Sequence, residues 1–194
     1  MLDTAERLIV QEGYAAVSTR RVALEAGVNP PLVHYYFPTT EDLLLAVYAR
    51  AAELTHERAL AAFGSGAPLE AFWALNKDAT HTSLGTEFYA LANHRKMISS
   101  EIVRTGVGDR AAQAEALSQA LGEKLDRSIG TPIGLIVLIT AISRILVMEE
   151  GIGLTAGHDE ARALVDWLLE RAQQRDAAGK KAGQRRLDSP ESAC

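Results

Sequence analysis

Apolar residues recur three and four positions apart along most of this chain, the spacing that lines one face of a helix. Ala5, Leu8 and Ile9 share the first such face. The spacing predicts a helix over 4–12, with Asp3 as its cap, Glu6 completing a capping-box-like pair and Gly13 ending it. Over 18–37 the pattern shortens into two helical segments. Ser18 is the cap of the first, predicted over 19–26, and Gly27 can take the left-handed conformation that ends it. Asn29 can cap the second, with Pro30 at its first position, where a missing N–H costs nothing, and Pro31 still in the first turn. Val22, Ala26, Val28, Val33 and Tyr36 would face one core, and Ala23 is small where the two helices approach. Pro38 ends the second segment, and Thr39 then caps a long helix with Glu41 and Asp42 in its first turn. Leu43, Leu44, Val47, Ala51 and Leu54 carry that helix toward Phe63, and Gly64, Ser65 and Gly66 stop it.

The remaining pattern is also helical. Residues 67–128 read as two or three helices. Leu69, Phe72, Trp73 and Asn76 share one face; Leu84, Phe88, Tyr89, Leu91 and Ala92 follow a polar break near 80–83. Gly106 and Gly108 cost about 1 kcal/mol each relative to alanine, which predicts a kink or break there. The run 133–148 is apolar nearly all round and must bury more than one face. Ala161, Leu164, Val165, Leu168, Leu169 and Ala172 form a stripe on a last helix. From 176 the periodicity stops, and a disordered tail is expected in which Lys180, Lys181, Arg185 and Arg186 are solvated. Period-two runs and Asn-Gly or Asp-Gly turns are absent, so the fold class is all-α.

Composition narrows this further. A chain of 194 residues with 47% hydrophobic content can bury a real core. A single cysteine, Cys194, precludes an intrachain disulfide and fits a reducing cytosol, so a cytoplasmic location is expected. Residues 2–10 lack a basic region and carry Asp3, Glu6 and Arg7, unlike a secretory signal. The 16-residue run 133–148 is short for a membrane span and includes Arg144, which favours a buried helix. The net charge of −5 counts against a general nucleic-acid coat. Residues 1–46 hold three arginines, Arg7, Arg20 and Arg21, against six acids, so any DNA-binding charge must be placed locally.

Two short helices joined through a glycine turn at a steep angle can place the second in a DNA major groove while the first crosses the backbone. Residues 3–47 resemble the N-terminal domain of the TetR family of transcriptional regulators. The resemblance is carried by "TAERLIVQEGY", "STRRVALEAGV" and "VHYYFPTTEDLLLAV", in that order and spacing. It implies a helix-turn-helix domain over 1–47, with the motif at 18–37, and a helical ligand-binding and dimerisation domain over 48–175. It also implies a homodimer on a palindromic operator, with helices near 132–148 and 159–173 pairing into a four-helix interface. A small-molecule effector would act through the long helix as a lever. No cofactor and no membrane partner are expected.

Carried over by position, Thr19, Arg20 and Arg21 begin the first motif helix, and Arg20 resembles a base-reading position, where arginine can donate twice to guanine. Asn29, Pro30, Leu32 and Tyr35 line the start and side of the recognition helix, and His34, Tyr35 and Tyr36 bring polar tips toward phosphates. Thr40 replaces the family's usual lysine at the start of the long helix, losing a phosphate charge. "NPPLVHYYF" also departs from the commoner family pattern, so the operator cannot be borrowed from relatives. Family members usually carry a basic arm before the first helix, whereas this sequence begins almost at the helix itself: either the arm is absent or the true start lies upstream.

A ligand pocket would lie between the helices of 67–148, with Trp73, Phe88, Tyr89, Met97 and Ile136 as walls and Asn76, His81, Asn93 and Arg144 as polar anchors. The chain does not read as an enzyme. Glu53 and His56 have the Glu-x-x-His spacing of di-iron bundles, without the second copy such a site needs. The five histidines have no zinc spacing, and there is no phosphate loop or nucleophile elbow. The competing reading is an all-α small-molecule-binding or interaction protein that has lost DNA binding, motivated by the acidic N-terminal segment, the missing arm and Thr40.

Overall fold

The computed structural model describes residues 1–173, the side chains of Thr80, His81 and Gln173 excepted; the expectations for 174–194 lie outside the described residues. Among the described residues there are helices and no strands. In chain order these are α1 (Leu2–Glu12), α2 (Thr19–Glu25), α3 (Pro30–Tyr36), α4 (Thr40–Phe63), α5 (Pro68–Asn76), α6 (Ala79–Ala92), α7 (Lys96–Leu121), α8 (Pro132–Gly151) and α9 (His158–Gln173).

The local signals explain most of these boundaries. Gly13 ends α1 at φ 81°, ψ 162°, a conformation open almost only to glycine. Ser18 Oγ accepts the Arg21 N–H at 3.1 Å to start α2, and Gly27 turns the chain at φ 64° into α3. Thr39 and Asp42 form a full capping box at the start of α4.

Several expectations are corrected. Asp3 does not cap α1; the helix begins at Leu2, Met1 holds the cap position, and Asp3 in the first turn pairs with Arg50 of α4. Asn29 sits at the cap of α3 but its side chain caps nothing. The next two residues are prolines without an N–H, and the first available donor, Leu32 N–H, is taken by the Asn29 carbonyl at 2.9 Å. Tyr36 is 58% exposed rather than lying in the core. The polar stretch 80–83 lies inside α6, where Thr82 and Thr86 donate their hydroxyls to the Asn76 and Thr82 carbonyls. α7 runs unbroken through Gly106 and Gly108, because packing against α4, α6 and α8 outweighs the glycine propensity cost. α8 spans 20 residues, longer than its apolar run, and is long and apolar enough to cross a membrane by length and composition.

Two cores form. The first joins α1, α2 and the start of α4 with Leu84, Phe88 and Leu91 of α6 and Ile98 and Ile102 of α7. The second joins the end of α4, α5, the end of α7, α8 and α9, with Phe63 against Phe72 at 4.9 Å between ring centroids. Trp73 Nε1 donates to Asp166 at 2.9 Å, tying α5 to α9. The helices α4 and α7 contribute to both cores, so position 47 falls inside α4 and is not a break between cores.

Candidate nucleic-acid interface and ligand cavity

The outer face of α2 and α3 is built by default, once their inner residues are spent. Val22, Ala23 and Val33 are fully buried, which turns Arg20, Asn29, Pro30, Leu32, His34, Tyr35 and Tyr36 outward. Tyr35 is 78% exposed, and its ring meets Tyr36 edge-on at 5.2 Å. Two exposed tyrosines beside an exposed Leu32 make a surface with apolar bodies and hydrogen-bonding tips.

The electrostatics of this head are sharper than its net charge suggests. Arg7 donates to Glu25 at 2.8 Å, and Arg21 to Glu12 at 2.8 Å with Glu25 a further 3.9 Å away. The Arg7 guanidinium holds the Glu25 carboxyl below its usual value, mainly by that hydrogen bond. Asp3 and Glu6 pair with Arg50 of α4, and Asp42 is committed to its capping box. Burial opposes the charge on Arg50, but the hydrogen bonds it donates to Asp3 and Glu6 outweigh it and raise its pKa. Among the described residues, the Arg20 side chain has no ion pair or hydrogen bond and stands exposed.

Two of the expected contacts are placed differently. Thr19 is only 7% exposed and its side chain packs into the domain. Arg21 is engaged by Glu12 and Glu25, so its charge is largely spent inside the head. Thr40 opens α4 and is half-buried.

A cavity of about 180 Å³ lies between α4, α5, α6, α7 and α8. Of the residues expected to line it, Asn76, Phe88, Tyr89, Ile136 and Arg144 do so. Trp73 does not: it is buried and bonded to Asp166. Asn93 and Met97 are exposed and away from it, because α6 has already ended and α7 starts on the outer surface. The His81 side chain lies outside the described residues. Residues the sequence reading missed include Tyr48, Ala51 and Thr55 of α4, Thr82 of α6, Gln113 of α7 and Thr140 of α8. One signal was available: Ile136, Thr140 and Arg144 are four apart and form a single ridge on α8.

Tyr48 Oη and Thr105 Oγ1 share a hydrogen bond at 2.8 Å, and burial pushes the Tyr48 phenol pKa up, with the Thr105 bond opposing it. His56 Nδ1 lies 3.3 Å from Asp109, and Glu53 takes no part in a metal-ligand group among the described residues.

This is an all-α protein with a helix-turn-helix at one end and a cavity-bearing helical bundle at the other. Residues 1–47 match the model for bacterial regulatory proteins, tetR family. The family is one of DNA-binding regulators, not enzymes. Over 46 residues the chain is 44% identical to the HTH-type transcriptional regulator BetI of Rhizobium meliloti (strain 1021), a match spanning 24% of this chain and 23% of that protein's length. The fold is shared with solved structures at low identity. A protein described as a TetR-family transcriptional regulator from Rhodococcus sp. is 20% identical, with a TM-score of 0.71 over 89% of this chain and 96% of its own. A transcriptional regulator from Saccharomonospora viridis in complex with choline is 21% identical, with a TM-score of 0.71 over 87% and 93%.

Proposed function

We propose that the chain is a ligand-responsive transcriptional repressor that binds an inverted-repeat operator as a homodimer and is released by a small molecule held in its helical cavity. The observation that carries this reading is the state of Arg20. Of the three arginines of the head it is the one with no partner among the described residues, exposed on α2 next to the α3 face that carries Leu32 and Tyr35. The other two arginines of the head are neutralised at home. An arginine kept free in this setting suits bidentate contact with guanine, and Tyr35 and His34 suit phosphate oxygens. The remaining candidates, Asn29, Pro30, Leu32 and Tyr36, supply the surrounding surface, with Asn29 freed from capping by the two prolines after it.

The division of labour is a reading head over 1–47 and an effector and dimerisation part from 48 onward. α8 presents three faces. Leu135, Ile139 and Leu146 enter the core, and Ile136, Thr140 and Arg144 face the cavity. Ile133, Val137, Ile145 and Met148 stay exposed on the opposite side. Leu164 and Trp167 of α9 are exposed as well. An apolar strip of this kind, on two helices of one molecule, is self-complementary for a second copy, and two-fold pairing would present two reading heads to two half-sites.

Release needs a ligand that binds one spacing of the helices better than another. Three elements reach both places, α7 through Ile98 and Ile102 in the core of the head and Gln113 at the cavity. α4 carries Leu43, Leu44 and Val47 into the core of the head and Tyr48 and Ala51 to the cavity. α6 carries Phe88 into both, with its ring 5.3 Å from that of Tyr48. The choline bound by the Saccharomonospora viridis protein supports small-molecule binding as a property of this architecture.

The acidic balance of the head favours the competing reading of a protein that no longer binds DNA, but four of its six carboxylates, Asp3, Glu6, Glu12 and Glu25, are engaged by arginines. Selection of fragments from genomic DNA by the purified protein tests the choice. An enriched inverted repeat, bound with an affinity that falls steeply with salt through counterion release, is expected. A random pool after several rounds would favour the competing reading.

A further inference from the structure

We infer that the cavity takes a small organic acid with an apolar body about one ring in size, its carboxylate held by Arg144. This rests on the reading of the cavity as an effector site and adds the effector's chemical class. Arg144 is the basis. Its Nε is buried without a hydrogen-bond partner, and its guanidinium lies over the Tyr89 ring at 4.1 Å. No carboxylate of the described residues forms an ion pair with it. A buried Nε–H without an acceptor is costly, and the planar fork is shaped for a carboxylate. The contact with Tyr89 positions the guanidinium and leaves its Nε–H to be satisfied.

The rest of the lining agrees. Gln113 is 8% exposed, lines the same cavity and has no hydrogen bond among the described residues, so its amide is a second free donor. The hydroxyls of Thr82 and Thr140 already donate to backbone carbonyls. The charged residues of the lining are Arg144, Arg110 and Asp109, and Asp109 is turned to His56 at 3.3 Å. Phe72, Leu84, Phe88 and Ile136 supply the apolar part of the lining. An apolar cavity of about 150 Å³ holds a benzene ring, so about 180 Å³ suits one ring or a short alkyl chain with its acid group. A quaternary ammonium such as choline is disfavoured by the positive charge of Arg144, which also covers the Tyr89 face.

Calorimetric titration of the full chain tests this with benzoate, phenylacetate and hexanoate, their three amides, and choline. At least one acid is expected to bind with a Kd below about 1 mM and about tenfold or more tighter than its own amide. Arg144→Gln should remove that preference, while Arg144→Lys should keep part of it through charge without the fork. The acid-to-amide ratio is measured within one folded protein, so it does not depend on either variant's stability. Equal binding of acid and amide, tightest binding of choline, or no acid binding at millimolar concentration would each overturn the assignment. The first two would leave an effector site of other chemistry in place, and DNA selection by the ligand-free protein judges the regulator reading separately.

Discussion

The backbone N–H of Tyr14 donates to the carboxylate of Glu87 at 3.3 Å, across 73 positions of sequence. Tyr14 opens the short turn between α1 and α2, and Glu87 lies on α6 beside Phe88, a wall of the cavity. Gly13, at a φ only glycine adopts freely, brings the turn to that contact. The reading head is therefore pinned to the helix that a ligand would touch.

Replacing Glu87 with alanine leaves that N–H to water. Amide exchange at Tyr14 is expected to rise about tenfold, with global stability lowered by about 1 kcal/mol. Native-state hydrogen exchange measures it, and unchanged protection would show that the contact does not hold the turn.

Trp167 is 52% exposed on α9 with the Arg171 guanidinium 5.6 Å above its ring. A glutamate at position 167 would place a charge in the centre of the proposed two-copy interface, where unpaired burial costs several kcal/mol. Light scattering should report a dimeric wild type and a largely monomeric Trp167→Glu protein that keeps its helical circular dichroism. A monomeric wild type at micromolar concentration would remove the interface.

The Glu25 carboxyl titrates below its ordinary value of 4.5, chiefly because of the Arg7 hydrogen bond. A lowered folded-state pKa contributes stability that is present above the unfolded value and lost as pH falls through the folded one. Glu25→Gln should therefore melt slightly below wild type near neutral pH, and the two curves should converge below pH 4.5. A gap that widens with acidification would contradict the pairing of α1 with α2 through these two side chains.

Gly108 sits inside α7 with open space where a Cβ would stand. Gly108→Ala is expected to stabilise the protein by about 0.5–1 kcal/mol, read from urea unfolding. A loss of stability would mean that the helix bends there, as the sequence alone suggested.

The reading head was legible because its signals are local. Ser18, Gly27, Pro30 and Thr39 act on their own neighbours, and each marks a boundary near where the structure has it. The tertiary consequences were less so. Nothing local says that Arg21 will be claimed by Glu12 while Arg20 stays free, or that Asp3 will reach Arg50, 47 positions away. For the cavity, residue type pointed to Trp73 and Met97 ahead of Arg144, yet only the last lines it. Which aromatic becomes wall and which becomes core depends on how α5, α6 and α8 cross, and Trp73 is committed by a partner on α9. The α4 contribution was missed because Tyr48 and Ala51 look like the ordinary continuation of a buried stripe.

The most direct measurement is the affinity of wild type and Arg20→Ala for a fragment enriched by selection, followed by fluorescence anisotropy at fixed salt. A free arginine reading a base edge should cost about 1–3 kcal/mol when removed and relax specificity at its base position. Equal affinity and equal specificity of the two proteins would contradict the assignment of the α2–α3 face as the DNA-reading surface.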